Sequence, residues 1–272
     1  MARIINRRPG RGGAFLLGAL PFVLIVIAYL MGSAARLADN PNDKLLPSLD
    51  SLGTAIVQVA FTEDARTGRV ILWQDTAASL RRLCIGLGVS TAIGLVFGIG
   101  IGLVPLNRAT LSPLFAAFSM IPCLAVLPIL FIVFGLGELS KIVLIVVGTA
   151  PFLVRDLAMR VQELPAEQLI KAQTLGANSW QIVLRVTLPQ VVPRLIDSVR
   201  LSLGPAWLFL IAAEAIAATE GLGYRIFLVR RYLSMDIILP YVVWITLLAF
   251  LFDWLLRRVV RHGFAWVGER GA

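Results

Sequence analysis

Long apolar runs and short polar ones alternate along the chain, and the length of the runs sets its class. Largely apolar stretches occupy about 14–35, 72–104, 109–135, 139–158, 193–217 and 237–257. A helix needs about 20 apolar residues to cross the hydrocarbon core of a bilayer. The runs are continuous rather than alternating, which argues against a strand barrel, the other structure that can span a membrane. The pattern predicts an all-α polytopic membrane protein with about six transmembrane helices, organised as one domain over 1–272.

The polar intervals refine this. Residues 36–71 carry Asp39, Asn40, Asp43, Lys44, Glu63, Asp64 and Arg66, and are expected to form an external loop with a short surface helix over 48–61. The first turns of the second span, Trp73 to Arg82, are too charged for lipid and are expected to protrude or lie at the interface, with Arg81 and Arg82 snorkelling. Beyond them Gly86, Ser90, Gly94, Gly98 and Gly102 recur every fourth residue, a stripe that lets another helix backbone approach closely. The third span holds Pro113, Pro122 and Pro128. Each proline removes a helical hydrogen bond, so a broken helix beside a pathway is expected. Residues 218–236 read as a second external loop.

Composition changes the picture little. The chain is 58% hydrophobic and 15% charged, with net charge +9. A soluble domain carries about 25% charge. Lys and Arg concentrate on one set of loops: Arg3, Arg7, Arg8 and Arg11, Arg108, those of 155–200, and the tail after 256. The opposite loops hold Arg36, Lys44, Arg66, Arg69, Arg225, Arg230 and Arg231. The asymmetry puts both termini in the cytoplasm and explains the positive charge without nucleic acid. The basic start and Ser33-Ala34-Ala35 imitate a signal peptide, but the apolar run exceeds the roughly 7–15 residues of a signal core, so a retained first span is expected. Cys84, Cys123 and the single His262 are too scattered for a metal site, and both cysteines read as buried small hydrophobes.

The stretch 159–190 is polar and lies on the cytoplasmic side. Pro165 suits the first turn of a helix, Gly176 after Leu175 suits its end, and Asn178 with Gln181 forms a capping box for a second helix. Leu188-Pro189 is expected to end that helix. The pair would present Leu169, Ile170, Leu175, Trp180, Val183 and Leu184 to a groove on a soluble partner, or to lipid.

Ala172 to Gly176, nine residues, then Val186-Thr187-Leu188-Pro189 resembles the EAA loop of ABC importer permeases. Ile170 and Lys171 stand where that motif has Glu and Ala, and Glu167 sits one turn earlier. The resemblance covers roughly 70–260, and the segments SLRRLCIGLGVS, IPCLAVLPILFIVFGLGELSK and AEAIAATEGLGYRI are similar to the nitrate/taurine/alkanesulfonate branch. It implies a permease subunit of the bacterial inner membrane whose Glu167, Ala172, Leu175, Gly176, Ala177, Trp180, Leu188 and Pro189 couple it to ABC ATPase subunits. It also implies a second permease copy, identical or homologous, and an external solute-binding protein. The chain has no GxxxxGK[ST] sequence, so ATP and Mg belong on the partner and this chain carries no cofactor and no catalysis. The implied substrate is a small polar or anionic solute such as nitrate, taurine or an alkanesulfonate. The alternatives are a urea- or guanidine-like nitrogen compound, or a stand-alone secondary transporter.

An ionisable residue inside a span marks a functional hypothesis, because it is costly in lipid. Glu214 is the clearest, with Trp207 seven residues earlier on the same face and Ser119 and Pro122 as candidates to face it across a translocation path. Its two readings are a pathway or gate residue and a buried structural hydrogen-bonding group. Asp253 with Arg257, and Asp156 with Arg160, are i,i+4 pairs of structural character.

Overall fold

The computed structural model describes residues 10–41, 43–63 and 68–264, and these are all-helical apart from an isolated Glu63–Val70 bridge. The helices are α1 (Arg11–Asp39), α2 (Leu49–Phe61), α3 (Ile71–Leu103), α4 (Pro105–Phe118), α5 (Cys123–Phe134), α6 (Glu138–Gln162), α7 (Ala166–Thr174), α8 (Ser179–Gln181), α9 (Leu188–Ala217), α10 (Leu222–Arg230) and α11 (Met235–Gly263). Helices α1, α3, α6, the continuous run Ser179–Ala217 and α11 are each long and apolar enough to cross a membrane.

The third apolar stretch is broken, as its prolines predict. Helices α4 and α5 meet at 93° across 119–122, and Pro122 is the N-cap of α5. Pro113 and Pro128 lie inside the two halves without ending them.

The centre of the fold is the α3–α6 contact. Gly86, Gly94, Gly98 and Gly102 lie against Ile145, Leu153, Leu157 and Val161, so two four-residue repeats run side by side. A Cβ on these glycines would fall 2.8, 2.9, 2.8 and 2.4 Å from the facing side chains. At the one non-glycine step, Thr149 donates its hydroxyl hydrogen to Ser90 Oγ at 2.7 Å. Helix α9 closes on α6, where the Phe209 ring covers Gly148. One core cluster gathers Leu83, Ile145, Trp207, Leu210 and Tyr241, and a second gathers Ile99, Leu157, Val161, Val191 and Leu195.

Helix α1 stands apart. Phe15, Phe22 and Ile25 are exposed, while Tyr29 and Ser33 hydrogen-bond to the Leu46 and Pro47 carbonyls. The surface helix expected over 48–61 is α2, with Ser48 capping the Ser51 N–H.

Three expectations need correction. Arg82 does not snorkel: its side chain is 1% exposed, because carboxylates from three other segments surround it. Leu188-Pro189 does not end a helix. A π-helical turn, Ile182–Thr187, precedes it, with the Leu188 N–H on Val183 O, and the helix runs on into α9. A proline N has no hydrogen to give the ladder, and the wider turn takes up the mismatch. The stretch 218–236 carries α10. Cys84 is exposed on the outer surface of α3 and Cys123 is half-buried, so neither is a core residue.

Candidate coupling surface and translocation site

The elbow between α6 and α9 is built from local signals. Helix α7 follows Pro165 and stops at Leu175. Gly176 then adopts φ +81°, a conformation that strains any residue with a Cβ, and the Ala177 N–H returns to Ala172 O at 3.0 Å. The chain restarts on a complete capping box: Asn178 Oδ1 accepts the Gln181 N–H at 2.8 Å, and Gln181 Oε1 accepts the Asn178 N–H at 2.9 Å. Gln190 Nε2 donates to Gln168 Oε1 at 3.0 Å, tying α7 to α9. The elbow therefore has a fixed shape.

It also presents apolar side chains outward. Leu175 is 79% exposed, Trp180 70% and Ile170 59%. Glu167 and Pro189 are exposed, while Ala172, Ala177 and Leu188 are half-buried beneath the apolar tip. The eight sequence-predicted residues thus fall on one elbow.

The four path candidates do not form one cluster. Glu214 is fully buried near the opposite end of α9. Its carboxylate accepts Arg82 Nη1 at 2.7 Å, Ser79 Oγ at 2.8 Å and the Gly223 N–H at 2.9 Å. Arg82 also donates to Glu138 at 2.6 and 2.8 Å and to Glu220 O at 2.9 Å. Lys141 reaches Glu138 at 2.9 Å. One turn earlier on α3, Asp75 accepts the Gly221 N–H at 2.9 Å, Arg225 Nε at 2.8 Å and Tyr241 Oη at 3.2 Å. Burial alone would lower the Arg225 pKa, but the Asp75 hydrogen bond and charge outweigh it and hold the guanidinium above its usual value. Trp207 is packed in the core, its Nε1 without a hydrogen-bond partner among the described residues. Ser119 and Pro122 lie at the α4–α5 break, where Ser119 Oγ accepts Arg155 Nη1 at 2.5 Å.

Sequence reasoning missed Asp75, Ser79 and Arg82 as a unit. Their signal was present: positions 75, 79, 82, 86 and 90 share one face of α3, so the charges continue the buried glycine stripe. The match of Arg82 to Glu214, 132 residues apart, had no local signature.

Over residues 90–262 the sequence matches the family described as the binding-protein-dependent transport system inner membrane component. The chain belongs to this family of ABC importer permeases. It is 38% identical to the taurine transport system permease protein TauC of Escherichia coli (strain K12), over 73% of this chain and 72% of that one. It is 29% identical to the nitrate import permease protein NrtB of Leptolyngbya laminosa, over 75% of this chain and 71% of that one. Its fold is similar to a chain of the MetNI methionine ABC transporter in an inward-facing conformation, with TM-score 0.59 and 25% identity over 70% of this chain and 95% of that chain. This permease is a multi-pass inner-membrane protein and is not itself an ATPase; ATP binds on the ATPase partner.

Proposed function

We propose that this permease, paired with a second permease subunit, forms the path for a small anionic solute delivered by an external binding protein, with both termini in the cytoplasm. The ATPase drives it through the elbow 165–190. The observation that carries the coupling is the outward display of Leu175 and Trp180 on a rigid bend. Large apolar side chains on a polar inner-face segment require cover, and a cleft on a soluble subunit supplies it. A push on that bend passes directly into α9, because no break separates the two. The ATPase can shift the permease between two packings only by binding them differently, and the elbow is where it would do so.

The anionic substrate class follows from the similarity to permeases whose names specify taurine and nitrate. Within the path we keep Ser119 and Pro122, which lie at the helix break. We read Glu214 and Trp207 as groups that fix the packing of α9.

The test is Trp180→Asp in the complete transporter. ATP-dependent uptake should fall to background while the helical content of the purified chain is unchanged. Normal uptake by the variant would refute coupling through the elbow.

A further inference from the structure

Arg155 lies inside α6, and no carboxylate among the described residues pairs with it. It stands 17 residues from Glu138 and 7 from Gln162, or about 26 Å and about 10 Å along the helix. Its side chain is exposed, and among the described residues its one side-chain hydrogen bond goes to Ser119 Oγ at the α4–α5 break. Leu153 and Leu157 face α3, and Arg155 points roughly 200° around the helix from Leu153. The neighbouring Asp156 is turned toward α9, where Ser198 donates to it, and it also faces Arg160 at 3.7 Å. Phe152 and Met159 share the open face with Arg155 and are likewise exposed.

On the otherwise apolar face shared with Phe152 and Met159 a guanidinium is costly against lipid, and charged residues within a span face a bundle interior or a water-filled path. Helices broken within the membrane occur where irregular backbone lines a cavity. Both features fall at one place, the corner where Ser119 meets Arg155.

We infer that Arg155, oriented by Ser119, is the cation by which the translocation path attracts the anionic head group of its substrate, a sulfonate, nitrate or similar oxyanion. The planar guanidinium presents forked donors matched to such groups. A single site of this kind attracts an anion without holding it, as a path requires. The inference rests on the proposed anionic substrate class and adds the residue that reads the charge.

The experiment uses the full transporter, with ATPase and binding protein, in proteoliposomes with labelled taurine and labelled nitrate. Arg155→Gln should reduce uptake at least tenfold, and Arg155→Lys should stay within about threefold of wild type. Unchanged uptake in Arg155→Gln overturns the inference, as does equal loss in both variants, since charge would then not be the property that matters. A wild-type complex that imports neither anion overturns the substrate class and the role of Arg155 with it. A second arm uses Arg155→Cys in a chain carrying Cys84→Ala and Cys123→Ala. A water-soluble thiol reagent that adds an ethylammonium group should restore uptake, and one that adds an ethylsulfonate should not. A thiol that does not react, or equal effects of the two adducts, overturns the inference.

Discussion

Arg82 and Glu214 sit 2.7 Å apart with side chains 1% and 0% exposed, joining α3 to α9 across a sequence separation of 132 residues. Two charges out of water hold each other only while both are present, so losing one leaves the other buried and uncompensated. Glu214→Met and Arg82→Met should each destabilise the purified permease by about 3–5 kcal/mol. The double variant Arg82→Met/Glu214→Met should lose less than the sum of the singles. Thermal unfolding in mild detergent checks this, and additive losses would show that the pair is not energetically coupled.

The same carboxylate sets the next prediction. Gly221 has φ +126°, and a Cβ there would lie 2.6 Å from Glu214 Cδ. Gly221→Ala should therefore displace the Asp75 and Glu214 contacts of segment 221–223 and loosen α10. Faster hydrogen exchange at Leu222 and Gly223 is the expected readout, with α6 unaffected.

The α3–α6 contact predicts a sharp difference between two glycines about three turns apart. Gly98→Leu places a side chain into Leu157, whereas the Cβ of a residue at Gly88 meets nothing within 4 Å. Overpacking of this kind costs about 1–3 kcal/mol. The melting temperature should fall for Gly98→Leu and hold for Gly88→Leu.

At the elbow, Gly176 separates conformational from chemical requirements. Asn tolerates φ near +81° better than other residues with a Cβ, and a β-branched residue does not. Gly176→Asn should retain most ATP-dependent uptake, and Gly176→Val should lose it while the spans stay folded. Equal uptake by both variants would mean the bend is not needed.

Asn178 supports the restart of the helix through its bond to the Gln181 N–H. Asn178→Ala should cost about 1 kcal/mol of local stability. Hydrogen exchange should quicken over 179–187 and not in α7.

Much of this permease was legible in the chain. Apolar run length fixes the spans, because a bilayer leaves the backbone only helices of a set length. The prolines of 113–128 marked the broken span, and Gly176 and the Asn178–Gln181 pair drew the elbow, since turn and cap chemistry act over three or four residues. The four-residue glycine stripe announced a close helix contact, though not that α6 would fill it. Only the tertiary structure decided where the intramembrane charges go. Arg82 turned inward because Glu138, Glu214 and Glu220 arrive from other segments, and Arg155 stays on the open face because Leu153 and Leu157 take the opposite side of α6 against α3. Pro189 is accommodated in a continuous helix because a π-helical turn formed upstream of it. Local hydrogen bonding and run length are properties of neighbouring residues, and the sequence by itself determines them. Charge pairing across a bundle depends on which helices meet and at what depth, and only the packed chain sets that.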